Sequence, residues 1–88
     1  MRIDKFLKVS RIIKRREISK ELCDDGDVFL NGKKAKPMAE VKEGDELYLI
    51  LGRHRLTLKV LSVRPNATKE QASSMTEILK DEVVEKNA

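Results

Sequence analysis

What this chain has little of narrows it before any motif is read. It has no tryptophan, one tyrosine and two phenylalanines among 88 residues, so its core has to rest on Leu, Ile and Val. The same shortage leaves few rings for stacking several unpaired bases, as an RNA-recognition sheet or an OB barrel does. The one cysteine, Cys23, cannot staple a secreted fold and fits a reducing cytosol. No apolar run approaches the ~20 residues of a membrane span, and charges interrupt the N-terminus too often for a signal peptide. The expectation is a single soluble, cytoplasmic domain that buries about 60% of its unfolded surface.

Residues for chemistry are equally scarce. The one histidine, His54, lies between two arginines in an expected turn and reads as a surface residue. Cys23 falls on an apolar helix face with acids beside it, the wrong setting for a low-pKa thiolate. Far apart in sequence, the two offer no metal-ligand cluster. The glycines are isolated turn formers without a phosphate-cradling loop. Glu40, Glu43, Asp45 and Glu46 flank a Gly-Asp turn and read as solvating it. No catalytic residue, metal or cofactor is expected, and the chain is not expected to be an enzyme.

What is abundant is positive charge at one end. Residues 1–16 hold seven Lys or Arg and one acid, Asp4; residues 17–66 hold nine of each sign; residues 67–88 hold three bases and five acids. The whole net charge of +4 is therefore concentrated at the N-terminus. At the helical period, Ile3, Phe6, Leu7, Ser10 and Ile13 share one side, and Asp4, Lys8, Arg11 and Arg15 the other. A solvated face normally mixes signs for i,i+4 pairing. This one is almost purely cationic, which fits a polyanion.

Lys14-Arg15-Arg16 is expected to end the first helix. Ile18, Leu22 and Cys23 then give a second short helix stopped by Gly26, the usual left-handed cap position. Together they make a helix-turn-helix-like corner with the basic cluster at its turn. Strand signals follow: Val28 to Leu30, an Asn31-Gly32 hairpin turn, a return over Lys33 to Lys36 ended by Pro37, then Glu46 to Leu51 and Leu56 to Val63. Thr68 to Gln71 and Ser74 to Glu77 both match a capping box, and Met75, Ile78, Leu79 and Val83 share a helical face. The tail, residues 67–88, is therefore expected to be a C-terminal helix ending in a frayed Glu85-Lys86-Asn87-Ala88. The domain proper is expected over 1–66.

In order and spacing, Arg2-Ile3-Asp4-Lys5-Phe6-Leu7, Ser10-Arg11, Arg15-Arg16, Glu21-Leu22, Gly26, Val28, Asn31-Gly32, Lys36-Pro37, Val41 and Gly44-Asp45 resemble the S-four-type, or alpha-L, RNA-binding domain. The resemblance covers roughly residues 1–50. It implies an α+β fold, a two-helix corner packed on a small, mostly antiparallel sheet. The stretch Phe6 to Arg16, the length and the tail segment Met75 to Lys80 are similar to the small stand-alone bacterial members that act in ribosome-associated quality control. The acidic tail departs from the long basic extension of the heat-shock members.

The resemblance implies an RNA-binding site. Arg2, Lys5, Arg11, Arg15 and Arg16 match its RNA-facing positions, and Asp4 matches its acid, which would orient arginines or accept from RNA hydroxyls. Lys8, Lys14, Lys33, Lys34 and Lys36 extend that site along the corner and the hairpin. Asp27 stands where relatives often carry Arg or Lys, and Glu17 replaces the usual Ser or Thr cap of the second helix. The implied partners are the ribosomal RNA of obstructed large subunits, peptidyl-site tRNA and the protein RqcH, during alanine tailing of stalled chains without a message. The chain would be a monomer off the ribosome. Two alternatives stay open: a large-subunit assembly or heat-shock-type factor, and a protein-interaction adaptor using the C-terminal helix.

Overall fold

A computed structural model describes residues 1–85 of the chain. Its elements run α1 (Ile3–Val9), α2 (Arg16–Asp24), β1 (Val28–Leu30), β2 (Lys33–Lys34), β3 (Glu46–Leu51), β4 (His54–Val60), α3 (Lys69–Ser73) and β5 (Thr76–Val83). The strands form one antiparallel sheet in the order β2-β1-β3-β4-β5. The α+β class with a two-helix corner is as the sequence implies.

Period two in β3 and β4 sends Leu47 and Leu49, and Leu56, Leu58 and Val60, to one face. Ile3, Phe6, Leu7 and Ile13 from the helical corner pack against this face, with Val28, Val41 and Met75 closing the core. Phe6, Ile3 and Leu7 have no exposed surface. Burying each is worth roughly 1.5–3 kcal/mol, enough to hold a seven-residue helix that would not persist alone. The first strand of backbone is also tied down: Ile3 N–H donates to the Ala39 carbonyl at 2.8 Å, and Val41 N–H to that of Met1 at 2.9 Å.

The hairpin at Asn31-Gly32 forms as its sequence demands, with positive φ at both residues (50° and 84°). Asp45 does more than solvate the neighbouring turn. Its carboxylate accepts from Lys42 N–H at 2.8 Å and from Asn31 Nδ2 at 3.1 Å, while Asn31 Oδ1 accepts from Glu46 N–H at 2.9 Å. The two turns are thereby clamped together beside β3.

Four expectations need correcting. The strand expected over Leu56 to Val63 runs His54–Val60, so His54 opens it and does not sit in the turn before it. The first helix stops at Val9, four residues short of Ile13, because Ser10 caps it and Arg11 turns left-handed at φ 62°. The predicted return strand is only two residues, Lys33–Lys34. The tail is the largest change. Its first capping box is real, with Thr68 and Gln71 exchanging side-chain bonds at 3.1 and 3.2 Å, but that helix ends at Ser73. Thr76–Val83, where the apolar helical face was expected, is an eight-residue strand on β4. Of the predicted frayed end, Lys86, Asn87 and Ala88 lie outside the described residues.

Candidate nucleic-acid interface

The corner between α1 and α2 is made by a short left-handed detour. Ser10 N–H donates to the Phe6 carbonyl, Arg11 N–H to Lys8 and Ile13 N–H to Leu7, at 2.9–3.0 Å. Ile13, 8% exposed, pins the detour to the core. On either side of Ile13, Arg11, Lys14 and Arg15 are exposed, while Ile12 packs partly against the core. Where the helices meet, buried Ser10 and Ser19 turn their hydroxyls back to their own helices, toward the Leu7 and Arg15 carbonyls. Neither needs a polar partner from across the contact.

A cleft of about 1100 Å³ opens along this corner. Lys5, Lys8, Arg11, Lys14, Arg15 and Arg16 all line it, with Glu17 as its one acid. Ile18 and the loop Pro65-Asn66-Ala67 supply the uncharged wall. A second cavity of about 450 Å³ lies by the other side of α2, lined by Arg2, Lys20, Lys36, Pro37 and Met38 among others. Six cations and one acid line the cleft, and three cations and Asp24 line the second cavity, a tract of positive excess whose chemistry suits an anion.

Asp4 joins the two. Its side chain is 2% exposed, yet it is not unpaired. Oδ2 accepts from Arg2 at 3.0 Å, and Oδ1 accepts from Lys5 N–H at 2.8 Å and from Arg16 at 3.4 Å. Both arginine side chains keep about half of their surface open, 48% and 45%. A guanidinium has five N–H donors in a flat fork, so one edge can be held while another grips a phosphate. Arg2 lines the small cavity and Arg16 the large one. Asp4 therefore fixes one arginine in each. Its burial corrects the placing of Asp4 on the open cationic face.

Of the eleven residues picked from sequence, six line the cleft, Arg2 and Lys36 line the second cavity, and Asp4 sits beneath. Lys33 and Lys34 are exposed on β2 and line neither, the Lys34 chain running past Gly26. Lys20 was missed, although its place one turn after Arg16 on α2 was a usable signal. The Pro65–Ala67 wall was missed because nothing local marks it. Its place comes only from how the chain returns after β4.

Cys23 lines the second cavity but offers no reactive thiolate. Burial pushes its thiol up to about 11, and the nearby carboxylates of Asp4 and Asp24 push the same way. Among the described residues no group of His, Cys, Asp or Glu is arranged to hold a metal ion. None of the described helices is long and apolar enough to cross a membrane.

A two-helix cationic corner laid on a small antiparallel sheet defines a protein of the S4-domain class, and the S4 domain family model matches residues 1–47. Solved structures agree. The trimeric heat shock protein 15 of Vibrio cholerae superposes with a TM-score of 0.83 at 25% identity, covering 89% of this chain and 80% of that one. The solution structure of the hypothetical protein HP1423 gives 0.78 at 32% identity, covering 93% and 100%. The RQC P-site tRNA stabilizing factor of Halalkalibacterium halodurans is 46% identical over 87 residues, 99% of each chain. That of Bacillus subtilis is 48% identical over 82 residues, covering 93% of this chain and 95% of its own. The chain belongs to this family of small S4-domain proteins, the RQC P-site tRNA stabilizing factors.

Proposed function

We infer that the chain binds RNA in ribosome quality control, with the α1–α2 corner as its grip. The observation that carries this reading is the cleft of six cations continued, through the Asp4 clamp, into a second cationic cavity. Two adjoining anion sites suit a factor that touches two phosphate backbones at once, here ribosomal RNA of an obstructed large subunit and peptidyl-site tRNA. The names and full-length similarity of the relatives support the same assignment. In its finer form, the chain keeps the tRNA placed while RqcH-dependent alanine tailing extends the stalled chain. It acts in the cytoplasm, as a monomer off the ribosome, by binding and not by catalysis.

The corner reads shape and phosphate in this account, since no aromatic ring lines either cavity. Arg16→Ala is expected to cost about 1–3 kcal/mol of large-subunit binding without unfolding the protein. Co-sedimentation with large subunits and a thermal melt measure both quantities. A variant that sediments as fully as wild type removes the corner from the mechanism. Particles recovered from cells separate this reading from ribosome assembly: mature subunits carrying tRNA fit it, and precursor particles do not.

A further inference from the structure

The sheet has two edges, and they are treated differently. The β2 edge is two residues long and both are lysines, which blunts it against further strand pairing. The β5 edge is eight residues long, the longest strand among the described residues, and contains no proline. Its only lysine, Lys80, is held by Glu82 at 2.9 Å. Four large apolar side chains stand exposed in and just after it: Ile78, Leu79, Val83 and Val84, at 43–62%. They are four of the seven exposed large apolar residues described.

The pairing pattern tells which backbone groups are free. Val84 N–H donates to the Arg53 carbonyl and Leu61 N–H to that of Met75, so Arg53, Leu61 and the odd positions of β4 bond to β5. Glu77, Lys80 and Glu82 are the β5 residues opposite such positions. Antiparallel alternation then turns the N–H and C=O groups of Ile78, Asp81 and Val83 outward. These three pair with Leu58, Leu56 and His54 and lie on the core side of the sheet, while Glu77, Lys80 and Glu82 lie on the other face. An added strand would meet Ile78 and Val83 on one face and Glu77 and Glu82 on the other.

Charge selects the occupant. From Thr76 to Glu85 there are four acids against one lysine; Glu82 holds that lysine at 2.9 Å and Asp81 lies 3.2 Å from His54 Nδ1, so the edge keeps a negative excess. Arg55, across from Glu82, turns its guanidinium to the Gly52 and His54 carbonyls instead. A second copy pairing β5 to β5 would set acids against acids, and RNA would be repelled. We propose that β5 is a docking edge for an extended basic segment of a partner protein, one that alternates apolar and Lys/Arg residues and joins the sheet as a sixth strand. This surface is separate from the RNA-binding corner and does not depend on it.

The test uses the full chain and two labelled peptides, (Val-Lys)4 and (Val-Glu)4. The basic peptide is expected to bind about tenfold tighter or more, the usual scale of a charge-selected contact. On binding, the amides of Ile78, Asp81 and Val83 should gain protection from hydrogen exchange, while inward amides such as Glu82 change little. Val83→Pro, which removes an outward N–H and no bond to β4, should abolish that protection. Glu77→Lys with Glu82→Lys should reverse the peptide preference. Equal binding of both peptides, protection outside β5, or the same protection from self-association without peptide would each overturn the proposal.

Discussion

Asp4 shows what one residue does in this protein that its charge alone would not reveal. As the single acid among seven cations, it lowers the attraction of the corner for any polyanion. As a buried acceptor it holds Arg2, Arg16 and the first turn of α1. The two roles predict opposite outcomes for Asp4→Asn, which raises the net charge by one. If charge governs, RNA binding tightens; if positioning governs, it weakens, because the amide holds two guanidiniums less well than a carboxylate. We expect weakening by about 1–2 kcal/mol, together with a stability loss of about 1–3 kcal/mol for a buried charge network cut on one side. Filter binding to ribosomal RNA at fixed salt and a urea melt read the two effects separately. The presence of an acid at this position was legible in the sequence, and so was its possible role in orienting arginines. That it lies beneath the cationic face was not, since helical spacing placed it with Lys8 and Arg11.

At the scale of elements, the end of α1 is a compromise between geometry and function. Arg11 holds φ 62°, a conformation that glycine adopts without cost and a β-carbon resists by roughly 1 kcal/mol. Its cation lies on the cleft. Arg11→Gly is therefore expected to raise stability by about 0.5–1 kcal/mol while weakening RNA binding by about 1–3 kcal/mol. A variant that loses both would show that the side chain also props the corner. The hairpins and the central strands were readable because their cues are local: the Asn31-Gly32 pair, whose turn needs positive φ, and period two from Leu56 onward. The tail was not. Met75, Ile78, Leu79 and Val83 fit a helical face, and a second Ser-x-x-Glu box invited one. The chain instead buries Met75 and pairs Ile78 and Val83 with the open side of β4, leaving Leu79 in a bulge opposite Thr57/Leu58. Non-local pairing decided that stretch, and no window of sequence contains β4 and β5 together.

For the whole molecule, 41 Å long and 23 by 22 Å across, the question is which cations act together. Sequence ranks them only by their order in the chain, so Lys33 and Lys34 were grouped with the corner. Folding puts Lys20 beside Arg2 and leaves the β2 hairpin outside both cavities. Counterion release turns this partition into a measurement, because each phosphate contact adds about −0.7 to −0.9 to the slope of log affinity against log salt. Four to six contacts predict a slope of about −3 to −5 for the wild type. Arg2→Ala and Arg15→Ala, one in each cavity, should each reduce the slope by about one, and together by about two if both cavities engage RNA in the same complex. Lys33→Ala with Lys34→Ala should leave it unchanged. A single slope unit lost in the Arg2/Arg15 double variant would mean that only one cavity holds RNA. A loss in the lysine pair would extend the RNA footprint along the sheet edge to the hairpin.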